Sequence, residues 1–433
     1  MCVMLESPSG PITSLYVHVP FCAQKCSYCA FYSEPSGGDL INRYVAALIR
    51  ELELVAADLK PTTVFFGGGT PSLLNLRQWE RLLQAMDRLN LLGSAEWTVE
   101  CNPATVSLDK AKLLRSWGVN RISMGVQSLN EDLLERLGRI HSREMVFKSF
   151  DTLRQAGFEN VSLDLMFAIP GQMLDLWRET LNEALALGSE HLSCYEVIYE
   201  EDTALYAQLK AGQFTVNEDL ACAMYEELVE RASRAGFERY EVANFARGEG
   251  SKFKVQSSKS DVTHLTHLTN LTHLTHLTSS TSHASRTTHR APRTTPPVLR
   301  LACRHNLNYW RGGSFYGLGP SATSYVRGVR TRNWSNTQLY CEQLEKGKRA
   351  IESREQLAPL ARAGETAAFG LRMAAGWPFK DFVQITGHDL RAEWAADMEQ
   401  LARRGWGRIA SDRFHLTTEG LRFADAAAEL FLR

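Results

Sequence analysis

Between residues 15 and 197 the chain repeats one pattern: a short run rich in β-branched and aromatic residues, a turn carrying Gly, Pro or polar residues, then an amphipathic stretch. The apolar runs at 15–19, 63–66, 96–101, 121–125, 161–167 and 191–197 predict six strands. Between the first two, Ile41, Val45, Leu48, Leu52 and Val55 recur at three- and four-residue spacing, which predicts a crossover helix with one buried stripe. Repeats of this kind build right-handed strand–helix–strand units of an α/β fold, either an open doubly wound sheet or a barrel. The residues at the strand ends favour the barrel. A Cys cluster, Gly67-Gly68-Gly69-Thr70, Glu100, Gln127 and Asp164 all stand at or near carboxyl ends of strands, and a closed or partly closed barrel gathers those ends on one face. The expected architecture is α/β, a partial six-stranded barrel.

The 433 residues suffice for two or three domains. With 48 basic and 49 acidic side chains the formal charge is -1, so nothing electrostatic points to a nucleic-acid partner. No run of about 18 apolar residues is present to span a bilayer, and residues 1–10 lack the basic and apolar regions of a signal peptide, so a cytoplasmic protein is expected. One segment breaks the average composition. From 251 to 300 the chain turns to Ser, Thr, His and Lys, with Thr-His-Leu triplets between 263 and 278, and six of the twelve His lie there. Such a tract reads either as a metal-binding segment or as a low-complexity insertion. The period of three fits neither helix nor strand, which favours a disordered insertion and leaves about 380 residues of folded chain.

Three of the nine Cys crowd into Cys22-Ala23-Gln24-Lys25-Cys26-Ser27-Tyr28-Cys29, a C-x3-C-x2-C spacing directly after the first strand. Thiolates at such spacing suit one soft metal centre in a reducing compartment, either zinc or iron–sulfur. A structural zinc site calls for a fourth ligand at motif spacing, and none follows nearby, which favours an iron–sulfur cluster with one open position.

This loop, with an aromatic residue before its last Cys and a Gly-rich second strand end, resembles the radical S-adenosylmethionine (SAM) superfamily. The resemblance makes Cys22, Cys26 and Cys29 ligands of a [4Fe-4S] cluster whose fourth iron is chelated by SAM, and which cleaves SAM reductively to methionine and a 5'-deoxyadenosyl radical. It also implies SAM contacts by Tyr16 on the first strand, by Gly68, Gly69 and Thr70 of a GGTP-like loop, and by Glu100, Gln127, Arg139 and Asp164. Further along, His305-Asn306-Leu307-Asn308-Tyr309-Trp310 resembles the H-N-x-x-Y-W motif of the HemW family, radical SAM proteins regarded as haem chaperones. There the His is the proposed haem ligand, here His305, with Tyr309 and Trp310 as aromatic surface and Cys303 a candidate second contact. The plainer alternative is that this segment packs a junction between domains, with His305 merely hydrogen-bonded.

The implied function is to bind haem and pass it to an acceptor protein, soluble or membrane-bound, with an electron donor such as a flavodoxin or ferredoxin. The competing enzyme is oxygen-independent coproporphyrinogen III dehydrogenase. Its relatives carry a fourth Cys where Phe31 stands here, and a longer arm than the 21 residues before Cys22. Radical SAM methyltransferases that open the haem ring match less well around residues 305–310. Whether this chain is an enzyme is not decided by its residues. Gly317-Leu318-Gly319-Pro320-Ser321-Ala322 is expected as a glycine-rich loop, and the tail from Glu365, with helices and a hairpin near 407–416, resembles a winged-helix-like domain without a basic stripe. The expected division is 1–246 barrel, 251–300 insertion, 301–350 linking motif segment and 351–433 carboxyl domain.

Overall fold

The computed structural model describes residues 10–35, 37–248 and 300–433. Apart from Arg300, the expected insertion lies outside them.

The six expected strands form as β1 (Ile12–Val19), β2 (Leu59–Gly68), β3 (Glu96–Cys101), β4 (Arg121–Gln127), β5 (Val161–Phe167) and β6 (His191–Glu196), each parallel to the next. Crossover helices include α1 (Gly38–Val55), α2 (Leu76–Arg88), α3 (Leu108–Ser116), α4 (Arg143–Gln155) and α5 (Leu174–Ala186). Helix α2 starts on a capping box in which Asn75 and Gln78 satisfy each other's backbone N–H groups. The stripe of α1 is buried as its spacing predicts. A further helix α6 (Glu218–Arg234) leads to an antiparallel pair, β7 (Phe237–Arg239) and β8 (Asn244–Arg247), and β8 extends the sheet beyond β6.

The sheet is wider than six strands. Tyr316–Leu318 forms β9, parallel to β1 on the other edge, giving the order β9-β1-β2-β3-β4-β5-β6-β8-β7. Residues 317–322 were expected as a glycine-rich loop, and the first two of them, Gly317 and Leu318, lie in this strand instead. Gly317 leaves no space for a side chain against the Thr323 backbone, so the glycine permits close strand packing here rather than a phosphate cradle. The two edge strands β9 and β7 do not pair with each other, so the barrel is partial.

Alternation along the strands sorts the residues. Leu15, Val17, Val64, Phe66, Trp97, Val99, Ile122, Leu163 and Leu192 pack in the main hydrophobic core. The alternate positions share the opposite face and are mostly polar: Ser14 and Tyr16 of β1, Thr63 of β2, Glu96 and Glu100 of β3, Arg121 and Ser123 of β4, Ser162 and Asp164 of β5, His191 and Ser193 of β6. The interior of the partial barrel is therefore a hydrogen-bonding surface, and its groups must find partners or a ligand.

Helix α7 (Arg304–Trp310) and α8 (Thr337–Glu345) fall within the stretch expected as a link. Leu318, Tyr340, Cys341 and Leu344 join the main core, and buried Glu51 of α1 accepts hydrogen bonds from Gly319 N, Asn333 and Tyr340 at 2.7 to 2.8 Å. The carboxyl unit has its own core around Trp377, Phe382, Trp394, Leu401, Phe414 and Phe431. Helices at Pro359–Gly370, Phe379–Thr386 and Ala395–Arg403 and a three-stranded sheet that includes the expected hairpin give it the winged-helix-like outline.

Candidate functional site

The Cys loop leaves β1 and folds over the carboxyl ends of the strands. Cys22, Cys26 and Cys29 are half-buried free thiols. Their loop is tied down through its middle residue: Ser27 N donates to Leu137 O at 2.9 Å and Ser27 O accepts from Leu205 N at 2.8 Å. Gly138, at φ +70°, lies where a Cβ would come within 3.2 Å of Ser27 N, so the loop and residues 137–139 form one layer. Thr70 Oγ1 donates to Cys22 Sγ at 3.6 Å and Arg139 donates to Cys26 Sγ at 3.5 Å. The glycine loop after β2 is laced to the same segment, Gly69 N to Val19 O and Thr70 N to Phe21 O, both at 2.8 Å. A Cβ on Gly69 would stand 2.7 Å from Phe21 O and 2.8 Å from Val19 O, contacts no side chain tolerates.

Beneath the loop opens a cavity of about 490 Å³, a size typical of small-molecule sites. It is lined by all three cysteines together with Gly68, Gly69, Thr70, Glu100, Gln127, Arg139 and Asp164. The floor is acidic. Burial, then repulsion from Asp164, pushes Glu100 up to about 8, although Gly68 N donates to it at 3.1 Å. Burial likewise pushes Asp164 up to about 6, opposed by hydroxyl donors including Ser123 at 2.9 and 3.0 Å. Arg139 donates to Gly125 O at 2.6 Å, and its buried Nε has no partner. A pair of buried carboxylates, an unmatched guanidinium N–H and a side-chain-free backbone approach together fit a ligand that carries cationic, hydroxyl and carboxylate groups, as SAM does. The mouth is apolar: Phe31, Ile140, Tyr195 and Ile198 line it while remaining 43 to 70% exposed.

Among the described residues, no three Cys, His, Asp or Glu side chains converge closely enough to hold a single metal ion. A single zinc ion would require the thiolates to share one ion at about 2.3 Å. A cluster gives each thiolate its own iron and accepts a wider spread.

Two expected contacts lie elsewhere. Tyr16 does not line the cavity; it sits in the barrel interior with its hydroxyl 3.0 Å from His18 Nδ1 and its ring against Phe65 and His305. His305 is 1% exposed, and both ring nitrogens are engaged, Nδ1 with Thr63 Oγ1 at 3.1 Å and Nε2 with the Tyr309 hydroxyl at 2.6 Å. Burial drives its pKa down to about 3, so the ring is neutral. In this conformation both nitrogens are satisfied within the protein, so ligation of a haem iron would require the ring to give up one of these bonds. Glu96 seats the segment by accepting from Arg304 N and His305 N, both at 2.9 Å, and from the buried Cys303 thiol. Trp310 packs on Phe369 of the carboxyl unit. The junction-packing alternative describes residues 303–310 as they stand.

The residue pattern did not single out Ser123, Gly125, Gly138 or the apolar rim. Gly125 has a detectable reason: a Cβ there would press on the Gln127 amide at 3.1 Å and on Arg139 at 3.4 Å. Gln127 itself adopts φ 66°, a left-handed conformation at the strand end.

The acidic floor makes a pH prediction. A carboxyl group whose folded pKa is raised stabilises the fold at pH below its unfolded value and loses that contribution as pH rises through the folded value. Melting temperature of the ligand-free protein should therefore fall from about pH 4.5, where the unfolded carboxyl ionises, to about pH 8 and level off above it, with a Glu100 contribution on the order of 1 to 2 kcal/mol after discount for its opening to solvent. Glu100→Gln is expected to flatten that slope, and an unchanged slope would contradict the assignment.

A profile of the radical SAM superfamily matches residues 16–184, and one of the HemN C-terminal domain matches residues 357–423. Heme chaperone HemW of Bacillus subtilis is 30% identical over 94% of this chain and 96% of its own length. Heme chaperone HemW of Mycobacterium tuberculosis is 31% identical over 98% of this chain and 96% of its own. Among solved structures, coproporphyrinogen III oxidase (HemN) from Escherichia coli superposes with a TM-score of 0.76 at 20% identity, covering 98% of this chain and 90% of that one. At that identity the likeness bears on the fold.

Proposed function

The chain belongs to the HemW family of radical SAM proteins, and on that premise we propose that it is a haem chaperone, binding haem and passing it to an acceptor protein while carrying a [4Fe-4S] cluster and SAM. The observation that carries this reading is the identity of about 30% with proteins named heme chaperone across almost the whole of both chains. The cavity agrees with it in chemistry. Cys22, Cys26 and Cys29 would hold the cluster, with Thr70 and Arg139 donating to two of the sulfurs. Gly68, Gly69 and Thr70 would let SAM approach the backbone, while Glu100, Gln127, Arg139 and Asp164 would orient its polar groups. Bound there, the cluster would supply single electrons to SAM. The chain's own part is to hold both in a recess whose carboxylates favour a cationic ligand. The apolar rim of Phe31, Ile140, Tyr195 and Ile198 supports a hydrophobic ligand at the mouth.

No described helix is long and apolar enough to cross a membrane. A cytoplasmic location, an electron donor of flavodoxin or ferredoxin type and a soluble or membrane-bound acceptor complete the reading. The alternative is coproporphyrinogen III dehydrogenase, favoured by the shared fold but disfavoured by Phe31 in place of a further cysteine. Titration of the anaerobically reconstituted protein is expected to saturate at one haem per chain. Conversion of coproporphyrinogen III to protoporphyrinogen IX with SAM and a reductant would overturn the chaperone reading.

A further inference from the structure

A directed chain of hydrogen bonds runs from the floor of the cavity to the segment that carries His305. Cys303 N donates to the Tyr240 hydroxyl at 3.1 Å, that hydroxyl lies 2.8 Å from His191 Nε2, His191 Nδ1 lies 2.8 Å from Ser162 Oγ, and Ser162 Oγ donates to Asp164 at 3.2 Å. Its ends fix its sense. An ionised carboxylate can only accept, so with Ser162 donating to Asp164 every hydrogen from Cys303 N onward points toward Asp164 and neutral His191 carries its proton on Nδ1; Ser193 Oγ, 3.3 Å from Ser162 Oγ, is the one side branch and can donate into the chain. Ser162, His191 and Tyr240 are all buried, which leaves the chain sheltered from competing water.

We propose that His191 and Tyr240 are positioning residues that couple the ligand-facing Asp164 to residues 303–305, so that occupancy of the cavity and the packing of the His305 segment bias one another. The proposal rests on the reading of Asp164 as a group that meets SAM. A hydroxyl or cationic group held against Asp164 keeps it ionised and acceptor-only, locking the sense of the chain and the bond from Cys303. An Asp164 that must itself donate reverses Ser162 and His191 and leaves the Tyr240 hydroxyl proton without its acceptor. The coupling is reciprocal: whatever loosens residues 303–305 weakens binding at Asp164 by the same factor. Glu96, accepting from Arg304 N and His305 N, and Arg121, donating to Leu301 O, also hold this segment by bonds outside the chain.

The test reads amide hydrogen exchange of residues 301–310 in the full, cluster-reconstituted protein. Without ligand, Asp164→Asn is expected to quicken exchange at 303–305 about fivefold, and to add nothing in a Tyr240→Phe background, where the chain is already cut. Ser162→Ala, which cuts it beside Asp164, guards against a folding defect peculiar to Tyr240→Phe and should behave alike. With SAM added, the native protein is expected to slow by a similar factor, whereas Tyr240→Phe binds SAM but shows no slowing at these amides. Additive effects of Asp164→Asn and Tyr240→Phe would overturn the coupling. Absence of SAM binding to the native protein would overturn the reading of the cavity instead, and the ligand-free comparison would still decide the coupling.

Discussion

Cys26→Ala protein, reconstituted anaerobically with iron and sulfide, is expected to come out without its cluster, its iron and acid-labile sulfide near background. The chain supplies three thiolates around the cavity; Cys194, Cys303 and Cys341 lie outside its lining, and Cys101, which borders it at the end of β3, is a buried thiol whose pKa burial pushes up, away from the thiolate. Two remaining protein ligands leave two irons open to solvent and exchange. Cys26 is the most telling of the three because Arg139 donates to its sulfur, so the substitution also leaves the guanidinium without that acceptor. Cys222→Ser, on α6 and outside the cavity lining, should retain full iron content and serves as the control. An unchanged iron and sulfide content in Cys26→Ala would remove the three-thiolate assignment, and with it the open iron on which SAM binding depends. Loss of SAM affinity together with the cluster is the expected companion result.

The strands were readable because burial acts on local sequence. The runs at 96–101 and 161–167 have the same ends in the fold as in the pattern, since Glu96 and Val161 begin alternations in which one face meets helices and the other meets the polar interior. The cysteines and the glycine loop were readable for a similar reason: backbone lacing at Gly69 and thiolate spacing are both encoded within a few residues. What escaped the pattern depends on partners far apart in sequence. Tyr16 has the right place on β1, yet its hydroxyl is taken by His18 and its ring by Phe65 and His305, a residue nearly three hundred positions later. Strand β9 is three residues long with a glycine at its centre, too short for a period to show, and it exists because β1 offers it a parallel edge. Glu96 looked like a strand-initiating residue, and nothing near it announces that it caps a segment beginning at Cys303.

His305→Ala is expected to lower stability by about 3 kcal/mol, seen as a fall in melting temperature of the reconstituted protein. The substitution opens a cavity beside Phe65, on which the imidazole stacks at 5.3 Å, and strips a partner from both Thr63 and the Tyr309 hydroxyl. His305→Gln, able to keep one of the two bonds, should lose less. A loss of haem binding in His305→Ala counts as evidence for ligation only against that background, because a loosened α7 also disturbs its contacts with Glu96 and the carboxyl unit. Ligation carries its own signature. For the imidazole to reach an iron it must surrender at least one of its hydrogen bonds and leave the space between Phe65 and Tyr309. Haem held by His305 would therefore quicken amide exchange across 303–310, the opposite of the slowing expected from SAM. Exchange at those amides left unchanged on haem addition would mean that haem is held elsewhere, with the exposed Phe31 and Ile198 at the cavity mouth as the surface to substitute next.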